Sequence, residues 1–418
     1  MGHCEGAIPG CRLQKAGGST LTLPLQPMDG GRRASRFIVW VIGFFAFLNV
    51  YSMQSVLPLL MQDFNASPLR AGTTVGATVL AVALVSPFMG MLSDALGRKV
   101  VLCISLFGLT VPTALIPAAT SLDMVVVLRF LQGLFIPGIV VALMAYIAEE
   151  FRFDEVARIT GVYVGGSVMG GFSGRFITGH AGHLFGWRGA FLTLAALNLI
   201  GALLIVWLLP PSRHFSPNKD LRGAFRNLRL HLHNRRLLAA CAVGFCVLFS
   251  LVGAFTYVNF LLTGAPFNLS VAGLANVFCV YLIGVVVTPF TGRFIVQYGF
   301  RHSLLWALGI SATGLVMTFL PSLSGVIVGL AICSSGVFIC QSATISFIAN
   351  SVNEGRSLAT GIYYMSYYAG GAVGTWVVGV AYENWGWGGS VLSIVLVQFV
   401  AATIAWFGWH KPATGFHS

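Results

Sequence analysis

Twelve apolar segments follow one another along the chain, and shorter polar stretches separate them. The first six cover 37–61, 71–92, 100–118, 123–148, 158–180 and 188–209, and the last six cover 237–262, 271–292, 302–320, 324–349, 357–382 and 388–409. Each is long enough for a helix to cross the hydrocarbon core of a bilayer, which takes about 20 residues. The pattern predicts an all-α membrane protein with twelve transmembrane helices.

The polar stretches divide the chain into two helical bundles and three polar segments. Residues 1–35 are rich in Gly, Pro and Ser, which predicts a disordered cytoplasmic tail rather than a cleaved signal peptide. Six-helix bundles are predicted at 36–209 and 237–410, with a cytoplasmic linker at 210–236 between them and a second tail at 411–418.

The linker has the pattern of a basic amphipathic helix. Its apolar positions are Leu221, Phe225, Leu228 and Leu232, and the basic positions beside them are Arg222, Arg226 and Arg229. Such a helix is suited to lie on the anionic inner leaflet of the bilayer. A regulatory or partner-docking helix is the alternative hypothesis.

The two halves repeat each other at offsets of 200 to 203 residues. Between 161–187 and 361–387, nine of twenty-seven aligned positions are identical, six of them glycine. Each half holds an even number of spans, so corresponding helices run in the same direction. Parallel repeats of this kind place a substrate site at the interface between the halves, near the bilayer midplane.

The charge distribution predicts how the chain is oriented. Only 9% of the residues are charged, mean hydropathy is +0.84 and the formal net charge is +12. With both termini in the cytoplasm, twenty of the twenty-four Lys and Arg residues fall on the cytoplasmic side, as the positive-inside rule requires. The net charge therefore sets orientation and does not indicate a nucleic-acid partner.

The loop between the second and third segments carries a specific motif, Gly90-Met-Leu-Ser-Asp94-Ala-Leu-Gly97-Arg98-Lys99. It resembles the G-x-L-x-D-x-x-G-R-K signature of major facilitator superfamily transporters, which lies between their second and third helices. The resemblance implies the major facilitator fold, with twelve helices in two parallel six-helix pseudo-repeats. In the second half Val296 and Phe300 replace Asp94 and Arg98, which assigns the charged gate to the first half.

The resemblance also implies a role for this loop as a cytoplasmic gate. We expect Asp94 to face the N-terminus of the eleventh helix near Ser357, where the helix dipole favours an anion. We expect Arg98 to pair with Glu149 or Glu150 at the end of the fourth helix. The predicted gating residues are Gly90, Asp94, Gly97, Arg98, Lys99, Glu149 and Glu150.

Two further stretches resemble the proton-coupled antiporters of the superfamily. Arg129-Phe-Leu-Gln132-Gly133 is similar to their R-x-x-x-G signature. The glycine-rich stretch 165–174 resembles their fifth-helix motif in part but lacks its proline, and close helix packing is the alternative explanation of its glycines. The chain as a whole is similar to bacterial carriers described as arabinose-efflux or drug-resistance transporters.

The buried polar residues suggest the pathway of a solute or proton. None of the twelve carboxylates falls in the middle of a span, so His180 and His183 are the remaining titratable candidates near a span end, unless they are plain interfacial residues. Arg175 has Thr375 at its repeat position and is expected to face the cavity with Arg129, whereas snorkelling to the outer interface is the alternative. The tyrosines of the eleventh segment either line the cavity or form an aromatic belt. The predicted pathway residues are Asn49, Gln54, Arg129, Gln132, Arg175, Tyr257, Asn259, Gln341, Tyr364, Tyr367 and Tyr368.

These patterns favour a secondary active transporter. No P-loop, nucleophile elbow or H-E-x-x-H motif is present, so we predict neither an enzyme nor a cofactor or metal site. We predict a monomeric carrier of the bacterial inner membrane that exports a small drug-like or sugar-like solute by alternating access, driven by protons. An organic-anion carrier using Arg129 and Arg175 is the alternative, and a membrane sensor without transport is a third hypothesis.

Reporter fusions test the predicted topology. A reporter placed after His410 and another within 210–236 should both report a cytoplasmic location, because the basic loops stay inside. Fusions at Asp63 and Gly182 should report the outer side. The measurement is the activity of a reporter that works on one side only, and any reversal among the four contradicts the twelve-span assignment.

Overall fold

Helices account for nearly all of the chain that the structure describes. The computed structural model describes residues 36–212, 233–351 and 356–409. Both predicted tails, and the predicted amphipathic helix of the linker, lie outside these residues.

The first half contains six helices. Helix α1 has two helical parts, Arg36–Leu48 and Leu57–Phe64, with a 3₁₀ turn at Ser52–Val56 between them. It is followed by α2 at Pro68–Leu96, α3 at Arg98–Leu115 and α4 at Leu122–Glu150. The long helix Phe153–Leu208 is broken at Gly186. We call its two parts α5 (153–185) and α6 (187–208).

The second half contains six helices in the same order. Helix α7 is Arg235–Thr263. Helix α8 begins with Val271–Val277 and a 3₁₀ turn at Phe278–Leu282, and it continues in Ile283–Met317 up to a break at Gly299. The remainder, 300–317, is α9, and α10 is Leu323–Ser351. Arg356–Gly408 is broken at Gly386 into α11 (356–385) and α12 (387–408).

The breaks occur at glycines in equivalent positions of the two halves. Gly97 and Gly299 have φ of 98° and 76°, and Gly186 and Gly386 have φ of 69° and 61°. Side chains other than glycine strongly disfavour this region, so glycine permits two helices to meet almost without a loop. The sequence repeat is therefore also a repeat of backbone conformation, and the predicted fold class is confirmed.

The lengths and surfaces of the helices suit a bilayer. Among the described residues, eight helices are long and apolar enough to cross a membrane, or nine if the two parts of α1, bent by 46°, count as one span. Two of these spans divide, at Gly186 and at Gly386, which gives eleven, and α9 beyond the break at Gly299 is the twelfth helix. Large apolar side chains such as Trp207 and Val296 are almost fully exposed, which suits contact with lipid. The chain is a multi-pass membrane protein.

Glycine seams join α1 to α5 and α7 to α11. A Cβ atom at Gly170 would collide with the backbone of Phe44, and one at Gly370 would collide with the backbone of Phe245 in the same way. Small residues let the helix backbones approach closely and gain dispersion contacts that larger side chains would prevent. Of the glycines in 165–174, Gly166, Gly170 and Gly174 serve close packing, whereas a Cβ at Gly165 would meet nothing within 4 Å.

The contacts that join the two halves are concentrated toward one end of the bundle. We call the end where Gly97 lies the motif end and the other the opposite end. Gly76 of α2 lies against Thr375 of α11, and Gly179 of α5 lies against Ala275 of α8. All four residues lie in the part of their helices nearest the opposite end, so the halves are closed against each other there.

Substitution of a seam glycine tests the packing. Gly170→Ala should destabilise the protein by about 1–3 kcal/mol, because the new methyl group must push the backbone of Phe44 away. Gly161→Ala on the same helix is the matched control, since a Cβ there meets nothing within 4 Å. The measurement is thermal unfolding in detergent, and equal melting temperatures for the two variants would contradict the seam.

Candidate functional site

A charged cluster lies at the motif end and is built on Arg98. The Nη1 atom of Arg98 donates to Asp94 Oδ1 at 2.5 Å and to Ser93 Oγ at 3.0 Å, and Nη2 donates to Glu149 Oε1 at 2.6 Å. The predicted pair of Arg98 with Glu149 is therefore present. The cluster ties α2, α3 and α4 together, because Gly97 turns the chain so that Arg98 begins α3 facing both neighbours.

The other predicted gating residues surround this cluster. Lys99 donates to the carbonyl oxygen of Leu209 at the end of α6, at 2.5 Å, and Glu150 follows Glu149 at the end of α4. Gly90 faces the side chain of Val141 on α4 at ordinary contact distance. The expected partner of Asp94, the side chain of Ser357, lies outside the part of the structure that is described.

Arg129 is buried at the point where α1 breaks. Its Nε donates to Thr74 O at 3.2 Å, Nη2 donates to Val50 O at 2.8 Å, and Nη1 donates both to Asn49 O at 2.9 Å and to Gln132 Oε1 at 2.5 Å. Residues 49–51 lie between the two helical parts of α1, so the carbonyls of Asn49 and Val50 lack regular helical partners. Arg129 supplies those partners and holds the break in place.

A side-chain network extends from Arg129 through the first half. Gln132 Nε2 donates to Thr113 Oγ1 at 2.7 Å, and Asn49 and Asn198 exchange amide hydrogen bonds of 2.9 and 3.1 Å. Thr113 and Asn198 were not among the residues predicted from the sequence. The signal for Asn198 was available, because an amide in the middle of an apolar segment needs a partner.

Arg175 occupies a second polar site, between the two halves. Its Nε donates to Gln54 Oε1 at 2.7 Å and its Nη1 donates to Gly171 O at 2.7 Å. The amide nitrogen of Gln54 donates in turn to Thr256 Oγ1 of α7 at 3.0 Å. Arg175 is only 1% exposed, so the snorkelling alternative is wrong.

Three aromatic rings surround the Arg175 guanidinium. Its central carbon lies 4.7 Å from the ring centroid of Tyr51, 5.1 Å from that of Phe278 and 4.1 Å from that of Tyr281. Tyr51 belongs to α1, whereas Phe278 and Tyr281 belong to the 3₁₀ turn of α8 in the second half. The Nη2 atom is buried and has no hydrogen-bond partner.

The tyrosines of α11 form a cluster inside the protein. Tyr364 and Tyr367 have ring centroids 6.4 Å apart, and Tyr367 and Tyr368 have theirs 5.5 Å apart. Tyr367 and Tyr368 are buried. The belt alternative is therefore wrong for these two residues.

The remaining predicted pathway residues are not part of the Arg175 site. Tyr257 is buried between α2 and α11 and donates to Thr375 O at 2.6 Å. Asn259 donates to the carbonyl oxygen of Phe255 in its own helix at 2.8 Å, and Gln341 is half-buried on α10. His180 makes a contact between the halves, at 3.0 Å from Asn276 Oδ1 of α8.

A carboxylate joins the halves at the opposite end. Glu383 near the end of α11 accepts a hydrogen bond from the backbone N–H of Leu69, in the first turn of α2, at 3.2 Å. Glu383 was not among the residues predicted from the sequence, because nothing in the chain order shows that the end of α11 meets the start of α2. The N-terminus of a helix favours an anion, so this contact stabilises the closed end.

Comparison with known proteins agrees with this architecture. Residues 39–374 match the Major Facilitator Superfamily. The chain is 32% identical over 363 residues to the inner membrane transport protein YnfM of Escherichia coli K12, covering 87% of each chain. It is 29% identical over 370 residues to the uncharacterized MFS-type transporter YybF of Bacillus subtilis, covering 88% of this chain and 92% of that one.

Two solved structures share the fold at low sequence identity. A bacterial homologue of the human lysosomal transporter Spinster, in an inward-facing and unoccupied conformation, gives a TM-score of 0.72 at 16% identity over 90% of this chain and 98% of that one. A variant of the nucleoside transporter NupG gives 0.70 at 15% identity, over 90% and 100%.

The fold and these matches define a membrane transporter rather than an enzyme. The chain belongs to the major facilitator superfamily.

Glu383→Gln tests the contact at the opposite end. A neutral amide is a weaker acceptor at a helix N-terminus than a carboxylate, so the halves should separate there more often. In a chain whose native cysteines are replaced, Ser55→Cys should then react about two- to fivefold faster with a membrane-impermeant maleimide. Ser55 is suited to this measurement because it is fully buried and lies beside Gly179.

Asp123→Asn is the matched control. Asp123 is a carboxylate at the same end that pairs with Arg70 at 2.9 Å within the first half, so its loss should leave labelling unchanged. Equal labelling rates in the two variants would show that the contact between Glu383 and Leu69 has no part in closure.

Proposed function

We propose that the chain moves a small solute across the bacterial inner membrane by alternating access. The observation that carries the proposal is the Arg175–Gln54–Thr256 bridge, a buried polar connection that links the two halves across their interface. A charged group buried at membrane depth is costly and is usually retained for function. The bridge lies between the two halves, where parallel repeats are expected to place a substrate site.

The closed opposite end supports the alternating mechanism. Closure uses contacts of α2 with α11 and of α5 with α8, including the one made by Glu383. A carrier must break such contacts to open that end and form others at the motif end. We assign the second role to Asp94, which is 41% exposed beside the more deeply buried Arg98 and is available to the N-terminus of α11.

We assign the motif end to the cytoplasm and propose that transport is proton-driven export. The orientation follows the Lys and Arg distribution. Export and proton coupling follow the resemblance of 129–133 to the antiporter signature. In this proposal the gate comprises the motif residues together with Glu149 and Glu150. The linker is proposed to rest on the anionic inner leaflet.

A second candidate is favoured by the electrostatics of the interior. The buried residues that the structure describes include Arg98, Arg129 and Arg175 but no carboxylate. A cation without a counter-ion at the interface between the halves suits an anionic solute better than a cationic one. Transport of an organic anion is therefore the alternative to export of a neutral or cationic solute.

Reconstitution tests the proposal. Liposomes that contain the protein and an internal pH dye should show proton movement on addition of at least one solute from a set of arabinose, tetraphenylphosphonium and benzoate. Asp94→Asn should slow that flux by about fivefold or more, because a neutral amide holds the N-terminus of α11 less well. Asp123→Asn is the control carboxylate at the opposite end.

Two outcomes contradict different parts of the proposal. Radiolabelled solute uptake without any pH change rules out proton coupling while leaving transport intact. A normal rate in the Asp94→Asn protein rules out the gate.

A further inference from the structure

We infer that Arg175 anchors a small organic anion, a carboxylate on an aromatic or short apolar body, and that this anion competes with the rings of Phe278 and Tyr281 for the guanidinium. The inference rests on the proposed transport function and names its substrate class. Under this inference, binding of the anion also weakens the contacts that hold the two halves closed against each other.

The hydrogen-bond donors of the two central arginines are used differently. An arginine side chain carries five N–H donors. Arg129 makes four hydrogen bonds, two of them to backbone carbonyls at the break in α1 and one to a backbone carbonyl of α2. Arg175 makes two, and its Nη2 has no partner. Arg129 is therefore a structural residue, and Arg175 is the one with donors left for a ligand.

The unused donors of Arg175 suit a carboxylate. A guanidinium presents its N–H groups in a plane, in the fork geometry that matches the two oxygens of a carboxylate. Among the described residues, no buried carboxylate is present to occupy that fork. A ligand that brings its own negative charge supplies both the counter-ion and the missing acceptors.

The rings around Arg175 indicate the body of the ligand. Tyr51 lies on the first-half side of the guanidinium at 4.7 Å. A flat apolar group attached to the carboxylate can stack on the Tyr51 ring.

Two of the rings also explain how binding is coupled to movement. Phe278 and Tyr281 belong to α8, so their contacts with Arg175 at 5.1 and 4.1 Å cross the interface between the halves. An anion seated on the fork replaces the attraction that the ring faces provide. The halves then lose one of the interactions that hold the opposite end closed.

Calorimetry on the purified full-length protein tests the inference with benzoate as the anion and benzamide as its neutral isostere. The parent should bind benzoate at least about tenfold more tightly than benzamide, since only benzoate forms a charge-assisted pair. Arg175→Lys should remove that preference, because an ammonium keeps the charge but lacks the planar fork. Arg188→Gln, which removes an exposed arginine paired with Asp63, is the matched control and should bind like the parent.

Tyr281→Leu gives a second measurement that does not depend on the fold of an arginine variant. Removing the competing ring should tighten benzoate binding by about threefold or more. It should also speed the maleimide labelling of Ser55→Cys. If the Tyr281 ring had only a structural role, its removal would weaken benzoate binding instead.

The results separate this inference from the transport proposal. Equal binding of benzoate and benzamide, or an unchanged preference in Arg175→Lys, overturns the anion site even if arabinose or tetraphenylphosphonium drives proton flux. Weaker benzoate binding in Tyr281→Leu overturns the competition. Benzoate binding that depends on Arg175 without transport of any solute in liposomes leaves the site standing and overturns the proposed function.

Discussion

The architecture depends on one constraint, which is that lipid offers no hydrogen bonds. Each backbone group freed from a helix within the bilayer must find a partner in the protein. The break in α1 frees the carbonyls of Asn49 and Val50, and Arg129 satisfies both. The bend in α1, the position of Gln54 beyond it and the meeting of Gln54 with Arg175 all follow from that arrangement.

The buried cations lie where the two halves differ. Both halves share the glycine breaks, and in both an asparagine of positive φ follows the first helix, Asn65 and Asn268. The charges are not shared, since Arg98 corresponds to Phe300 and Arg175 corresponds to Thr375. Thr375 packs against Gly76 at the interface instead. The repeat therefore builds the scaffold, and the differences place cations in the first half and ring faces in the second.

The sequence was sufficient to predict the fold because a bilayer requires apolar segments of similar length, separated by polar loops. Span lengths, the repeat and the loop motif all follow from residue order, and so does the pairing of Arg98 with Glu149, which adjacent helices bring together. Contacts between distant helices could not be predicted. Phe278 and Tyr281 look like any other apolar residues among many aromatics, and only the fold shows that they face Arg175. Glu383 was missed for the same reason.

The glycine seams have a mechanical consequence. Backbone rests directly on backbone at Gly170 and Gly370, so neither pair of helices has a compressible layer of side chains along which it can slide. Each seam is stiff, and the strain of any large rearrangement falls on softer surfaces where side chains meet. We therefore expect each half to keep its shape, and any rearrangement to occur where side chains of the two halves meet.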